Sequence, residues 1–502
     1  MKRTKKLYVI IALFMIIPIF ACGENGDSGD GAGTTERAQA AAAGETTEEQ
    51  RVTDDLDETD YGERIFTFLT GGTEFWCQLD RICVEEEIGE ILNDVTFSRT
   101  RAVEERFNVT IQDIQIVPWE IGGKVRIAVQ SGDRTYDAAY LWSNFFLDLG
   151  ANGILYDLNH LPKLDFSKPY WDKDGREQLS IVNRLYMMTG DANMSYNDNT
   201  WVMMFNKKLI QDYGLDDPYE LVKDGKWTID KMIELGKACV KDLNGDGIFS
   251  VEDQFGMVTH SEHIKGLFFA SGEKLFAKNS DDIPEFNGGN ERALNVLNRV
   301  YEVMNEHNFT LNTRDPKHAA AISGIYIEGV NDGQQVMFEA NQALFCGEIL
   351  ECVRRYRQME MPFGLLPCPK LDENQKEYYS YITYPLAGVC VPANAAAQDG
   401  EFIGTILEAM QSMSRYTLIP AYFDSALYGK FMRDEESRDM LHIILGNRSY
   451  PWSELRDSGG MLAALRDAIV AGKSDFSSII EERESRAKTD IEKLVENIEA
   501  QE

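Results

Sequence analysis

Basic residues are scarce in this chain. Its 502 residues include 50 Lys and Arg against 83 Asp and Glu, a formal charge of −33. A surface of that sign does not hold a phosphate backbone, which argues against a nucleic-acid partner. Beyond the first 20 residues no apolar run has the roughly 20 residues needed to cross a bilayer, so nothing further is expected in a membrane. No repeat of fixed period is present. Nucleophile-elbow, phosphate-loop and His-Glu-x-x-His patterns are missing, and the chain is not read as an enzyme. Cys-x-x-Cys is also missing, which removes the usual zinc spacing. His260-Ser261-Glu262-His263 has a metal-like spacing but reads as surface histidines. Of the eight cysteines, Cys77 with Cys83 and Cys346 with Cys352 have spacings that a disulfide could close. The pairing of Cys239, Cys368 and Cys390 is open.

Core material is plentiful: 43% of residues are hydrophobic and 11% aromatic, which excludes wholesale disorder. A single core stops growing at roughly 250–300 residues, so at least two lobes are expected.

Lys2, Arg3, Lys5 and Lys6 precede an apolar run from Leu7 to Phe20. That run is too short to span a membrane and has the size of a signal-peptide core. Ile19-Phe20-Ala21-Cys22-Gly23 follows and resembles a bacterial lipobox, with Phe20 where a small residue is usual. The resemblance implies cleavage after residue 21, a diacylglycerol on Cys22, and an extracytoplasmic protein held to the cell membrane by lipid alone. Residues 22–60 are rich in Gly, Ala, Thr and acids and bury too little apolar area to fold, so they are expected as a disordered acidic tether.

From Tyr61 the chain alternates strands and helices. Strands are expected at 64–69, 109–117, 136–141, 201–206 and 342–346. Helices are expected at 87–107, 124–130, 207–213, 228–241, 291–307, 401–416, 435–445 and 460–471. The alternation predicts an α/β fold with mainly parallel sheets, whose ligands collect beyond the carboxyl ends of the strands.

Asp242 to Asp253 reads DLNGDGIFSVED. Asp242, Asn244, Asp246, Ser250 and Asp253 place oxygens at positions 1, 3, 5, 9 and 12, Gly247 sits at position 6, and Ile248 could offer its carbonyl at position 7. That is the EF-hand order with Asp for the final Glu, and it suits a structural Ca²⁺. An Asx-rich turn without metal is the alternative.

Four stretches together resemble the extracellular solute-binding proteins of ABC importers, the group of maltose- and oligosaccharide-binding proteins. They are TRAVEERFNV (Thr100–Val109), YDAAYLWSNFFLDLGANGILYDL (Tyr136–Leu158), WVMMFNKKLIQDYGL (Trp201–Leu215), and Lys226–Lys241 followed by Gln254-Phe255-Gly256. Phe205 stands where the family usually has Tyr. The resemblance implies a two-lobed periplasmic-binding-protein-like (type II) fold with a hinge and an interlobe cleft. Lobe one would hold 61–160 and 386–416, and lobe two 161–385 and 417–480. A crossing is expected at Thr383–Gly388 and a charged C-terminal tail at 481–502, within a polar end from Asp475 for which a helix is one reading. The implied role is a monomer that captures a small solute, most simply a sugar or oligosaccharide, and hands it to ABC permease subunits.

Sugars offer apolar faces and a ring of hydroxyls, so such a cleft wants aromatic platforms and polar partners. Trp142 and Trp76 are the candidate platforms, with Trp452 a third. Asp191, Asn193 and Glu348 are the candidate hydroxyl partners. Trp201 and Trp227 read as core. A secreted glycoside hydrolase and a cell-surface adhesin or scaffold are the competing readings, since paired carboxylates are not excluded by sequence.

Overall fold

The structure is a computed structural model and describes residues 51–73, 81–306, 308–315, 318, 321–322, 333–356, 359–424 and 435–501. The signal peptide, Cys22, the tether up to residue 50, Trp76 and Cys77 lie outside the described residues.

Thirteen strands are described: β1 (Arg64–Gly71), β2 (Val109–Ile116), β3 (Ala138–Trp142), β4 (Trp201–Asn206), β5 (Phe255–Thr259), β6 (Phe276–Lys278), β7 (Pro284–Phe286), β8 (Thr310–Asn312), β9 (Ala343–Ile349), β10 (Phe363–Leu366), β11 (Ser380–Tyr381), β12 (Ala387–Cys390) and β13 (Arg448–Ser449). One sheet has the order β12-β3-β1-β2, and a second has β10-β4-β9-β5-β8. β1 runs parallel to β2 and β3. β12 returns antiparallel, with Ala387 opposite Trp142. In the second sheet β5 runs parallel to β8 and β9, while β4 is antiparallel to β9 and β10. Helices cover both faces of such sheets, which is why all of β3 and β4 is buried and reads as an unbroken apolar run.

Local chemistry sets the joints. Asn206 ends β4 and its Oδ1 accepts the Leu209 amide at 3.0 Å, capping the helix Lys207–Tyr213. Gly214, at φ +62°, stops that helix. The strand, cap, helix and stop are therefore all present in Trp201–Gly214. The connections between the sheets lie side by side: Met188 pairs with Val389, Thr200 with Ile382, and β11 with β13.

The structure corrects several expectations. The charged end expected as a tail at 481–502 belongs to a helix, Phe476–Glu499, that buries Phe476, Ile480, Ala487, Ile491, Leu494 and Ile498. Two residues past it, Gln501 Nε2 donates to the Gly150 carbonyl at 2.9 Å. Residues 51–60, expected within the disordered tether, are held on the body: Arg106 grips Asp54 through two bonds of 2.6 and 3.0 Å, and Lys168 pairs with Asp55. Bidentate Arg–carboxylate pairs are the strong kind of ion pair, and the tether reading weighed composition alone. His260 and His263 are buried, not on the surface. His263 stacks on Trp201 at 4.9 Å, and burial takes its pKa down to about 3. Cys346 and Cys352 are buried thiols, so that spacing closes no bridge. Strand β9 runs on past Cys346 to Ile349 and takes Glu348 into the sheet. Among the described residues no helix is long and apolar enough to cross a membrane.

The helix Ala393–Tyr416 carries the buried Glu408, which accepts from the Tyr170 hydroxyl and from Trp171 Nε1 at 2.9 Å. Burial raises its pKa from 4.5 to about 7, against the pull of those two donors. A raised carboxyl pKa penalises the folded state above that pH and spares it below the unfolded value. Stability should therefore grow as pH falls from about 7 to about 4.5, by at most about 1.4 kcal/mol per unit from this group. Urea midpoints across that window should show the gain in the parent and a flatter profile in Glu408→Gln. Equal slopes would remove Glu408 from the account.

Candidate functional site

The carboxyl ends of β1, β2 and β3 carry an aromatic group. Pro118–Glu120 forms a single 3₁₀ turn just after β2 and lifts Trp119 into solvent, 53% exposed. Trp142 ends β3 and is 7% exposed. The Trp119 and Trp142 rings are 6.0 Å apart. Phe145 stacks on Trp142 at 6.4 Å, and Tyr384 meets it edge-on at 6.3 Å. Trp142 Nε1 is buried and has no hydrogen-bond partner among the described residues.

A charged group stands beside Tyr384. Lys265 lies 2.6 Å from Glu262 Oε2 and 2.7 Å from Glu454 Oε1, and its Nζ is 5.5 Å from the Tyr384 ring centre. Burial alone would lower the Lys265 pKa, but Glu454 and Glu262 hold it above the usual value. Glu454 Oε2 also accepts from Thr383 Oγ1 and the Tyr384 amide, both at 3.3 Å. Arg466 reaches Glu262 at 2.8 Å. A cavity of about 430 Å³ lies beside Tyr384, and its lining includes Asn144, Asp148, Lys265, Tyr384, Glu454 and Arg456. Arg456 pairs with Asp148 across it. Tyr384 lies on the connection between β11 and β12.

The sequence-derived candidates divide. Trp142 is in the aromatic wall, and Trp76 lies outside the described residues. Trp452 is buried with its Nε1 on Ser458 Oγ at 3.3 Å, next to the cavity-lining Ser453 and Glu454. Glu348, near the carboxyl end of β9, is 1% exposed and accepts from Gln334 Nε2 and from the Tyr356 hydroxyl at 2.9 Å. His260 Nε2 stands 4.0 Å from it. Asn193 accepts the Ser195 amide at 2.7 Å, within a local turn. Asp191 lies away from the aromatic wall, bonded by the Tyr196 hydroxyl at 3.0 Å and beside Arg415 at 3.5 Å. Trp201 and Trp227 are buried core, as expected. The sequence reading missed Trp119, Tyr384, Lys265 and Glu454.

The Asp242 loop closes on itself. Asp242 accepts the Gly245 and Gly247 amides at 2.6 and 2.8 Å, with both glycines at positive φ. Asp246 accepts the Ile248 amide at 2.7 Å, and Asp253 accepts the Leu243 and Ser250 amides at 2.9 and 2.8 Å. Asn244 Nδ2 reaches Asp246 and Glu252 at 3.3 and 3.1 Å. Among the described residues no three His, Cys, Asp or Glu side chains are grouped to hold a metal.

Residues 100–318 match the family model of bacterial extracellular solute-binding proteins, the family that the four sequence stretches resemble. No curated protein sequence matches the chain. Solved structures match in fold. An ABC substrate-binding protein from Listeria monocytogenes in complex with cycloalternan has 13% identity and a TM-score of 0.53, with 85% of this chain and 98% of that chain covered. A cyclo/maltodextrin-binding protein complexed with maltotetraose has 12% identity and a TM-score of 0.55, with 88% and 98% covered. UgpB from Mycobacterium tuberculosis, in complex with glycerophosphocholine, has 14% identity and a TM-score of 0.55, with 79% and 94% covered. The expected α/β two-lobed type II fold is the one observed.

Proposed function

We propose that this chain, whose residues 100–318 match the bacterial extracellular solute-binding proteins, captures a sugar or oligosaccharide outside the cytoplasm and delivers it to an ABC permease. The observation that carries the reading is a cavity lined by Tyr384, Lys265, Glu454 and Arg466, with the Trp142 and Trp119 rings grouped beside Tyr384. Aromatic faces take the C–H side of a sugar, and the charged groups take its hydroxyls. Closure about the connections between the lobes would bury the ligand and present one closed surface to the permease. Cys22 would carry the lipid anchor, and the protein would act as a monomer.

A thermal-shift screen of maltooligosaccharides, monosaccharides, polyols and peptides tests this. The expected result is saturable stabilisation by at least one carbohydrate and none by the peptides. Turnover of labelled oligosaccharide by the pure protein would replace the reading with a glycoside hydrolase.

We also propose that the Asp242 loop takes Ca²⁺ in a structural role. Its carboxylates, amide and carbonyl are the donors a hard cation prefers, although each aspartate already caps backbone amides. Added Ca²⁺ should raise the melting temperature and chelator should lower it, with Asp242→Ala insensitive to both. A melting temperature that ignores Ca²⁺ and chelator overturns the proposal.

A further inference from the structure

A second cavity, of about 880 Å³, shares no lining residue with the sugar cleft. Its size is within the roughly 300–1,000 Å³ of small-molecule sites. Its base includes the buried Phe166 and Trp171. One wall belongs to the connections between the lobes: Asp191 and Tyr196 come from the stretch leading to β4, and Arg448 from β13.

The charge of the lining is opposite to that of the chain. Five cations (Lys168, Lys173, Arg176, Arg415 and Arg448) line it against three carboxylates. Two of the cations are paired, Lys168 with Asp55 and Arg415 with Asp191, which leaves Lys173, Arg176 and Arg448. Two of the carboxylates are also occupied. Asp172 takes the Tyr450 hydroxyl, and Asp191, 3% exposed, takes the Tyr196 hydroxyl at 3.0 Å. Arg448 is fixed from two sides: its guanidinium lies 4.5 Å over the Tyr196 ring, and Nη1 donates to Asn197 Oδ1 at 2.7 Å. A planar donor fork held in this way suits an oxyanion, which it can bond through parallel N–H groups. Arg176 lies 5.5 Å over the Phe166 ring, so a cation and an apolar face stand together.

We propose that this cavity is a second ligand site, for a small organic anion bearing a phosphate or carboxylate group. It is distinct from the sugar cleft. The anionic group is held by Arg448, Lys173 and Arg176 of the lining, and the organic part lies on Trp171 and Phe166.

Calorimetry and thermal shift on the full chain, with inorganic phosphate, citrate and glucose 6-phosphate as probes and glucose as the neutral control, test the proposal. At least one anion should bind saturably. Binding should persist in Trp119→Ala and weaken about tenfold or more in the double variant Lys173→Ala/Arg176→Ala. Both replaced side chains are exposed, so folding is not at stake. Three outcomes overturn the site: no saturable binding by any of the three anions, equal affinity in the double variant, or loss of binding in Trp119→Ala. A glucose 6-phosphate response no stronger than that of glucose also overturns it, since it would assign the signal to the sugar cleft.

Discussion

Trp119→Ala is expected to weaken carbohydrate binding about 30-fold, a loss of about 2 kcal/mol, while leaving the melting temperature nearly unchanged. The two effects separate because Trp119 is 53% exposed. Its removal opens no hole in the core, and the apolar surface it offers is of use chiefly to a ligand. Trp142 is a poorer test. At 7% exposure, with Phe145 and Tyr384 packed on it, its replacement by alanine costs stability as well, on the order of 3–5 kcal/mol for a buried Trp. Trp119→Phe keeps a smaller face and should fall between parent and alanine. Isothermal titration with the best carbohydrate from the screen provides the check. An unchanged affinity in Trp119→Ala would falsify the aromatic wall as the sugar platform, whatever the fold.

Trp119 also shows where the sequence could have been read further. Ligands gather beyond the carboxyl ends of parallel strands, which points to Trp76 after β1 and Trp142 after β3. The same rule applies after β2, and Pro118 marks the end of that strand two residues past Ile116. Strand β4 and its helix were legible to the residue because Asn206 and Gly214 are local signals, a cap and a stop. The helix Phe476–Glu499 was less legible. Its buried positions recur at helical spacing, but they are separated by runs such as Glu481-Glu482-Arg483-Glu484 that read as a solvated tail. The charged wall was not legible at all. Lys265 and Glu454 sit far apart in the chain and meet only in the folded structure, and no short motif encodes a contact of that kind. The histidines failed for a related reason. Their spacing gives no sign of Trp201, whose ring packs against both of them.

Lys265→Met should be the most damaging single change in the cleft. Lys265 is 4% exposed and Glu454 7%, and the ammonium lies between two carboxylates at 2.6 and 2.7 Å. Both partners are already desolvated, so removing the cation leaves Glu454 as an uncompensated buried charge, while Glu262 stays paired with Arg466. Breaking a buried pair in this way typically costs about 3–5 kcal/mol, far above the net worth of the pair itself. The damage extends to the crossing. Glu454 Oε2 holds the Tyr384 amide and Thr383 Oγ1, so a repelled or protonated Glu454 releases the segment that carries one of the three cleft aromatics. Carbohydrate affinity should therefore fall together with stability. The double variant Lys265→Met/Glu454→Gln separates the causes. It removes the stranded charge and should recover most of the lost urea midpoint, while affinity stays low if Lys265 itself contacts the ligand. If Lys265→Met alone unfolds at the parental urea concentration, the triad does not hold the cleft together, and the charged wall must be sought among Arg456 and Arg466 instead.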